Sequence, residues 1–226
     1  MRTLPLRSGV QEASLFLDPI NSLPFHRASF VERIPNVPTT TDKAETLARL
    51  KPHHDRVARD LGFKQTYHAE QVHGSDIALI TTTSPLLTKG VDALITNENL
   101  LLGIHVADCG ALYIVDQKIG AVALLHSGKK GTEQNITGRA IEAMTKNFGT
   151  NPADLVAVLA PCIRPPHYEI DFAAAIRKQA LAAGIADQNY HDCALCTASS
   201  LDRFYSYRIE KGNTGRLLAL LGKTSP

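Results

Sequence analysis

The sequence predicts an α/β fold, one domain over residues 1–226, built of mixed, largely antiparallel β-sheets packed together and covered by helices. Three observations carry this expectation. Short β-rich runs follow one another from residue 77 to 125, and the loops joining those at 101–125 are too short for parallel crossovers. Helical windows flanked by capping residues come before and after them. The composition, 44% hydrophobic and 20% charged over 226 residues, is that of a globular chain long enough to bury a core.

Taken in order, residues 1–41 are rich in Pro, Ser and Thr, which predicts short strands and loops without sharp boundaries. Ala44, Leu47, Leu50, Val57 and Leu61 then fall at helical spacing, with Pro52 expected to break or restart the helix and Gly62 to stop it. His53 and His54 follow that proline and are expected to face solvent. Strands are predicted at 77–83, 91–96, 101–107, 111–116 and 119–125. Ile136, Ala140, Ala143, Met144 and Phe148 share one helical face, with Thr132 as the expected N-cap and Gly149 as the stop. A strand at 155–160 and a helix at 171–183, capped by Asp171 and closed by Gly184, complete the core elements. Residues 203–208, ArgPheTyrSerTyrArg, alternate aromatic and polar, which predicts a strand packing its aromatics inward. No internal repeat, low-complexity tract or linker divides the chain.

Composition also narrows the partners. A net charge of +2 shows no basic excess for nucleic acid or an anionic membrane. Apolar runs fall short of the roughly 18 residues that suggest a membrane span. The first residues carry charge without a following apolar region or cleavage site, so the expected location is cytoplasmic. Four cysteines do not make a disulfide scaffold in a chain of this size. Cys193 and Cys196 form a lone CxxC without the second pair that a structural zinc site requires, and no thioredoxin-like context precedes it.

The residues with the most chemistry are His73, Cys109 and His126, set in GluGlnValHisGlySer, ValAlaAspCysGly and LeuLeuHisSerGly. Two imidazoles and one thiolate make a three-ligand set for a catalytic Zn²⁺ with its fourth position open, and copper also accepts such a set. They are far apart in sequence, so only a fold brings them together; taken singly, each reads equally as a buried structural thiol or a hydrogen-bonded histidine. HisSerGlyLysLysGlyThr, 126–132, joins a strand to a helix, where backbone N–H groups with Lys129 and Lys130 would hold a phosphate or carboxylate. It lacks P-loop spacing, and a solvated turn is the other reading.

In series, GluGlnValHisGlySerAsp (70–76), AspAlaLeuIleThr (92–96), ValAlaAspCys (106–109), HisSerGlyLysLysGly (126–131), ProCysIleArgProProHisTyrGluIle (161–170), and CysThr followed by PheTyrSerTyrArg and ThrGlyArg resemble the YfiH-type laccase-domain family. That family is also called the multi-copper polyphenol oxidase or purine nucleoside phosphorylase family, and the likeness spans roughly residues 60–220. The resemblance implies a YfiH-like α/β domain with a metal pocket, and catalytic and metal-holding roles for His73, Cys109 and His126. It implies zinc-dependent chemistry on purine nucleosides with phosphate as a small-molecule partner: phosphorolysis of adenosine, inosine, guanosine or methylthioadenosine, and deamination of adenosine. Two departures stand out. The family's HisAlaGlyTrpArgGly is HisSerGlyLysLysGly here, which replaces a bidentate guanidinium by an ammonium and removes an aromatic plane. The family's ArgGlyGly and SerLeuAsnLeuGly stretch has no counterpart in the divergent segment 1–60. Against the zinc enzyme stand a metal-free cysteine hydrolase with Cys109 as nucleophile, a copper phenol oxidase, and a non-catalytic small-molecule binder.

Overall fold

Alternation within the strands decides the layering. A computed structural model describes residues 12–225. The chain runs through α1 (Asp18–Asn21), β1 (His26–Val31), α2 (Lys43–Asp60), β2 (Tyr67–Ala69), β3 (Ile77–Leu79), β4 (Leu87–Thr88), β5 (Ala93–Thr96), β6 (Leu101–Val106), β7 (Gly110–Asp116) and β8 (Val122–Ser127). It continues through α3 (Lys129–Glu133), α4 (Ile136–Phe148), β9 (Leu155–Leu159), α5 (Phe172–Ala182), β10 (Tyr190–Asp192) and β11 (Leu217–Lys223). The first sheet has the order β1-β11-β6-β2-β4 and the second β10-β9-β7-β8-β5-β3. Both are mixed: β1, β11 and β6 pair antiparallel, as do β9, β7, β8 and β5, while β2 and β4 in the first sheet and β3 and β10 in the second add in parallel.

Successive side chains point to opposite faces of a strand, so each central strand feeds two cores. From β7, Ala111, Tyr113 and Val115 join Leu102, Ile104 and Val106 of β6 between the two sheets. Leu112 and Ile114 face the other way, against Ile136, Ala140 and Met144 of α4 and Phe172 and Ile176 of α5. On the outer face of the first sheet, Leu101, Leu218 and Leu220 meet Ala58 of α2. The expected fold class holds: helices cover both outer faces of two packed sheets.

Several local expectations need correction. Pro52 does not break α2, which runs unbroken through it. Pro52 is exposed, and the buried stripe of Leu50, His54 and Ala58, spaced four apart, anchors the helix on both sides of it. The same stripe overturns the solvent-facing expectation for His54, which is 6% exposed, while His53 is exposed as expected. Thr132 is not the N-cap of α4. It lies inside α3, buried, with its hydroxyl bonded to Gly128 O and Ser127 Oγ. Asn135, at φ 58°, caps α4 by accepting from the Gly138 amide. Residues 203–208 form turns rather than a strand; Phe204 and Tyr205 are buried and Tyr207 points out. The last of the early strands begins at Val122, because Gly120 (φ 75°) makes a turn first. Asp171 caps α5 as expected, accepting from Ala174 N at 2.9 Å.

The connection from β6 to β7 positions the site. These consecutive strands are not neighbours; residues 107–109 carry the chain from the first sheet to the second, with Asp108 at φ 83°. Among the described residues no helix is long and apolar enough to cross a membrane.

Candidate metal centre and pocket

Cys109 sits at this crossing between sheets, directly before β7. The antiparallel register of β7 and β8 sets Ala111 opposite His126, which places the histidine beside it. His73 arrives on the loop after β2, where Gln71 and His73 both take left-handed φ values of 64° and 62°. The Gln71 side chain fixes that loop to β6, donating to His105 O at 2.5 Å and accepting from His105 N at 2.9 Å. The ligating atoms of His73, Cys109 and His126 all lie within 4.8 Å of one another. The structure thus brings together the three residues singled out in the sequence.

A buried carboxylate holds the trio in place. Asp92, fully buried just before β5, accepts from His126 Nδ1 at 2.7 Å. It also accepts from the backbone amides of Val72, His73 and Gly74 at 3.1, 2.9 and 2.7 Å. One side chain therefore anchors the His73 loop and occupies the δ-nitrogen of His126, leaving Nε2 for the pocket. Burial pushes the Asp92 carboxyl up, but the bonds from His126, Gly74 and His73 outweigh it and hold it below the usual range. Burial also pushes the Cys109 thiol up; His126 and His73, both within hydrogen-bonding reach of the sulfur, reverse this and bring it down. For His126 burial lowers and the Cys109 and Asp92 charges raise, with the raising effects prevailing.

The glycines of the 126–131 motif have a steric reason. A Cβ on Gly128 would stand 2.7 Å from the Cys109 sulfur, and one on Gly131 2.9 Å from Gly74 O. Asp108 is tied down on both carboxylate oxygens, by Thr197 Oγ1 and by the Arg208 amide, each at 2.7 Å.

The trio lines a cavity of about 860 Å³. Lys129 and Lys130, exposed, line it on the side of the second sheet. Lys43 and Arg216 line it as well, as do Tyr168, Phe172 and Tyr207. The Arg208 guanidinium, ion-paired with Glu169, lies 5.0 Å from the centre of the Tyr168 ring. Sequence reasoning missed Asp92, Lys43, Arg216 and Tyr168. Asp92, Tyr168 and Arg216 did carry a signal, since they fall inside the family-like segments 92–96, 161–170 and ThrGlyArg, while Lys43 carried none. His105, which lines the pocket, stacks on His68 with ring centres 5.0 Å apart, and His54 lies tilted against His105 at 5.5 Å. The 13° angle between His68 and His105 directs their in-plane lone pairs alongside rather than toward each other. Among the described residues, His73, Cys109 and His126 are the one group of three or more such side chains gathered closely enough for a metal ion.

Comparison with known proteins agrees with this geometry. Purine nucleoside phosphorylase YlmD of Geobacillus stearothermophilus is 29% identical over 193 residues, covering 68% of this chain and 70% of its own. A purine nucleoside phosphorylase of Deinococcus radiodurans is 30% identical over 206 residues, covering 80% of each. The crystal structure of YlmD from Geobacillus stearothermophilus superposes with a TM-score of 0.79 over 92% of this chain and 94% of that one at 24% identity. That of Bacillus licheniformis hypothetical protein YfiH does so with a TM-score of 0.78 over 88% and 93% at 23% identity. At these identities the structures speak for the fold. The sequence model of the multi-copper polyphenol oxidoreductase laccase family matches residues 36–172 and 166–224, a span that includes His73, Cys109 and His126, and the chain belongs to that family.

Proposed function

We propose that the chain is a zinc-dependent enzyme acting on purine nucleosides, by phosphorolysis of adenosine, inosine or methylthioadenosine, by deamination of adenosine, or by both. The observation that carries this reading is the His73, Cys109 and His126 trio in the wall of a cavity large enough for a nucleoside and lined by cations and aromatic rings. The names of the relatives from Geobacillus stearothermophilus and Deinococcus radiodurans agree with it. The donor set fits zinc: a thiolate of lowered pKa and two imidazoles, one oriented by a carboxylate. When bound, zinc supplies Lewis acidity to the pocket.

The chain's own residues supply the rest. Asp92 keeps the His126 ring in one tautomer and aims Nε2 inward. Tyr168, Phe172 and Tyr207 offer faces against which a planar base packs, in place of the tryptophan missing from the 126–131 motif. Lys129 and Lys130 draw phosphate toward the mouth, where the charge of a departing purine or an attacking oxyanion is also stabilised.

A second reading has its own observation. Cys109, His126 and Asp92 form a hydrogen-bonded series of the kind that activates a thiol nucleophile without metal. Metal analysis of untagged protein, paired with chromatography of a nucleoside panel with and without phosphate, separates the readings. The zinc enzyme requires about one zinc per chain, lost in Cys109→Ala, and turnover lost in His73→Ala. Full activity in chelator would establish the cysteine hydrolase, copper with phenol oxidation the oxidase, and metal without turnover a binding protein.

A further inference from the structure

Four of the cations that line the pocket stand in two pairs, and only one pair has been given a role. Lys129 and Lys130 follow β8 of the second sheet and are exposed. Across the pocket, on the first sheet, Arg216 directly precedes β11, whose Leu217 and Leu218 pair with Val106 and His105 of β6. Arg216 therefore stands next to His105 and close to the Cys109 crossing. Lys43, the first residue of α2, comes to the same wall, and Lys43, His105 and Arg216 all line the cavity.

Neither Lys43 nor Arg216 makes an ion pair among the described residues, unlike Arg208, which Glu169 neutralises. The half-buried Arg216 guanidinium donates from Nη1 only to the backbone carbonyls of Thr214 and Gly215, at 3.3 and 2.8 Å. Its remaining donors have no protein acceptor among the described residues. Burial holds Arg216 below its usual range, and burial followed by the charge of Arg216 does the same to Lys43. Asp92 and Glu70 oppose this at Lys43, and Tyr207, Cys109 and Asp108 oppose it at Arg216, but burial prevails at both, joined at Lys43 by the repulsion from Arg216. None of these groups makes an ion pair with either cation among the described residues, so an oxyanion between the two offsets the remaining cost.

We propose that Lys43 and Arg216, with His105 beside them, form an oxyanion subsite that seats a phosphate group on the first-sheet wall of the pocket, while Lys129 and Lys130 only attract it at the mouth. The phosphate is either free inorganic phosphate or one carried on a nucleoside. The subsite rests on the nucleoside reading only for the choice between these two sources. Arg216 supplies the planar fork suited to two phosphate oxygens, which restores the bidentate contact that lysines at 129 and 130 cannot make.

The test is calorimetric titration of zinc-loaded full-length protein, without turnover, using inorganic phosphate, adenosine 5′-monophosphate and adenosine as separate probes. The variants are Arg216→Gln, Lys43→Gln and the double Lys129→Gln/Lys130→Gln. Loss of free-phosphate affinity by about tenfold or more in both Arg216→Gln and Lys43→Gln identifies the seat of inorganic phosphate. The same loss for the monophosphate, with adenosine unchanged, identifies a seat for a ligand-borne phosphate. Lys43 is exposed, so its variant reports on binding even if Arg216→Gln is unstable. Wild-type affinity for both phosphate probes in the two single variants overturns the proposal, as does a loss confined to the 129/130 double variant. Because binding is read directly, a chain that turns over no nucleoside leaves this result interpretable.

Discussion

At the scale of single residues, the candidate metal site depends on groups that offer it no ligand atom. Asp92 bonds His126 Nδ1 and three backbone amides of the His73 loop, so it positions two of the three ligands together. Asp92→Asn is expected to weaken zinc binding by about 10- to 100-fold, measured by competition with a chromophoric chelator, while leaving every ligand in place. Gly128→Ala makes the same point sterically. Its Cβ would enter the space of the Cys109 sulfur, displacing the thiolate, so zinc affinity should fall by about tenfold or more although residue 128 offers no ligand atom. Unchanged zinc affinity in both variants would show that the trio is not the metal centre. The three ligands were legible in the sequence because their chemistry is rare and their short motifs occur in a family's order. Lys43 was not, since an unpaired cation looks the same in sequence as any solvated one, and Arg216, although it ends the ThrGlyArg motif, showed nothing there of its unpaired place on the pocket wall.

At the scale of elements, α2 shows how packing overrides local preference. Pro52 removes an amide hydrogen bond and clashes with the preceding turn, yet Leu50, His54 and Ala58 hold the helix against the first sheet. Pro52→Ala should therefore raise the urea midpoint, by an amount corresponding to about 1–3 kcal/mol, because Pro52 is exposed and touches no part of the site. The same helix carries a titration into the core. Burial first, then the charges of His68 and His53, hold His54 down to about 4, and burial holds His68 down to about 4 as well. His105 is pushed well below its usual value by burial, His68, His54, Lys43 and Arg216. Lys51 opposes protonation of His54 and His68, while Asp55 favours it. The unfolded chain binds protons on these rings near pH 6.5, which the folded chain does not do until about pH 4. Stability is therefore complete above pH 6.5 and is lost as pH falls toward 4, with His54 contributing on the order of 3 kcal/mol. Urea unfolding at pH 7.5 and 5 should show this loss, and His54→Leu, which also removes an unpartnered buried Nε2, should reduce it. An identical slope in that variant would assign the pH dependence elsewhere.

At the scale of the whole molecule, overall charge and local field part company. The chain carries a net charge of only +2, yet its cavity gathers Lys43, Lys129, Lys130, Lys211 and Arg216 against the single carboxylate of Asp108. Binding of a phosphate-bearing ligand should accordingly weaken severalfold between about 0.05 and 0.5 M salt, while adenosine affinity stays nearly constant. Calorimetry at the two ionic strengths distinguishes these outcomes, and equal salt dependence for both ligands would show that the cations do not act on the phosphate.

The sequence alone determined the layered α/β class, through strand alternation and helix caps such as Asp171, and it identified His73, Cys109 and His126 by residue chemistry and motif order. Only the tertiary structure decided what surrounds them. It showed that β6 and β7, adjacent in the chain, belong to different sheets and that Cys109 stands on the crossing. It showed that Asp92 is the common anchor, and that α2 and β11 bring Lys43 and Arg216 from opposite ends of the chain to one wall. The physical reason is range. Periodicity, capping and motif spacing act over a few residues and leave a local signature, whereas the pairing of sheets and the absence of a counterion are relations between distant segments that exist only once the chain has folded.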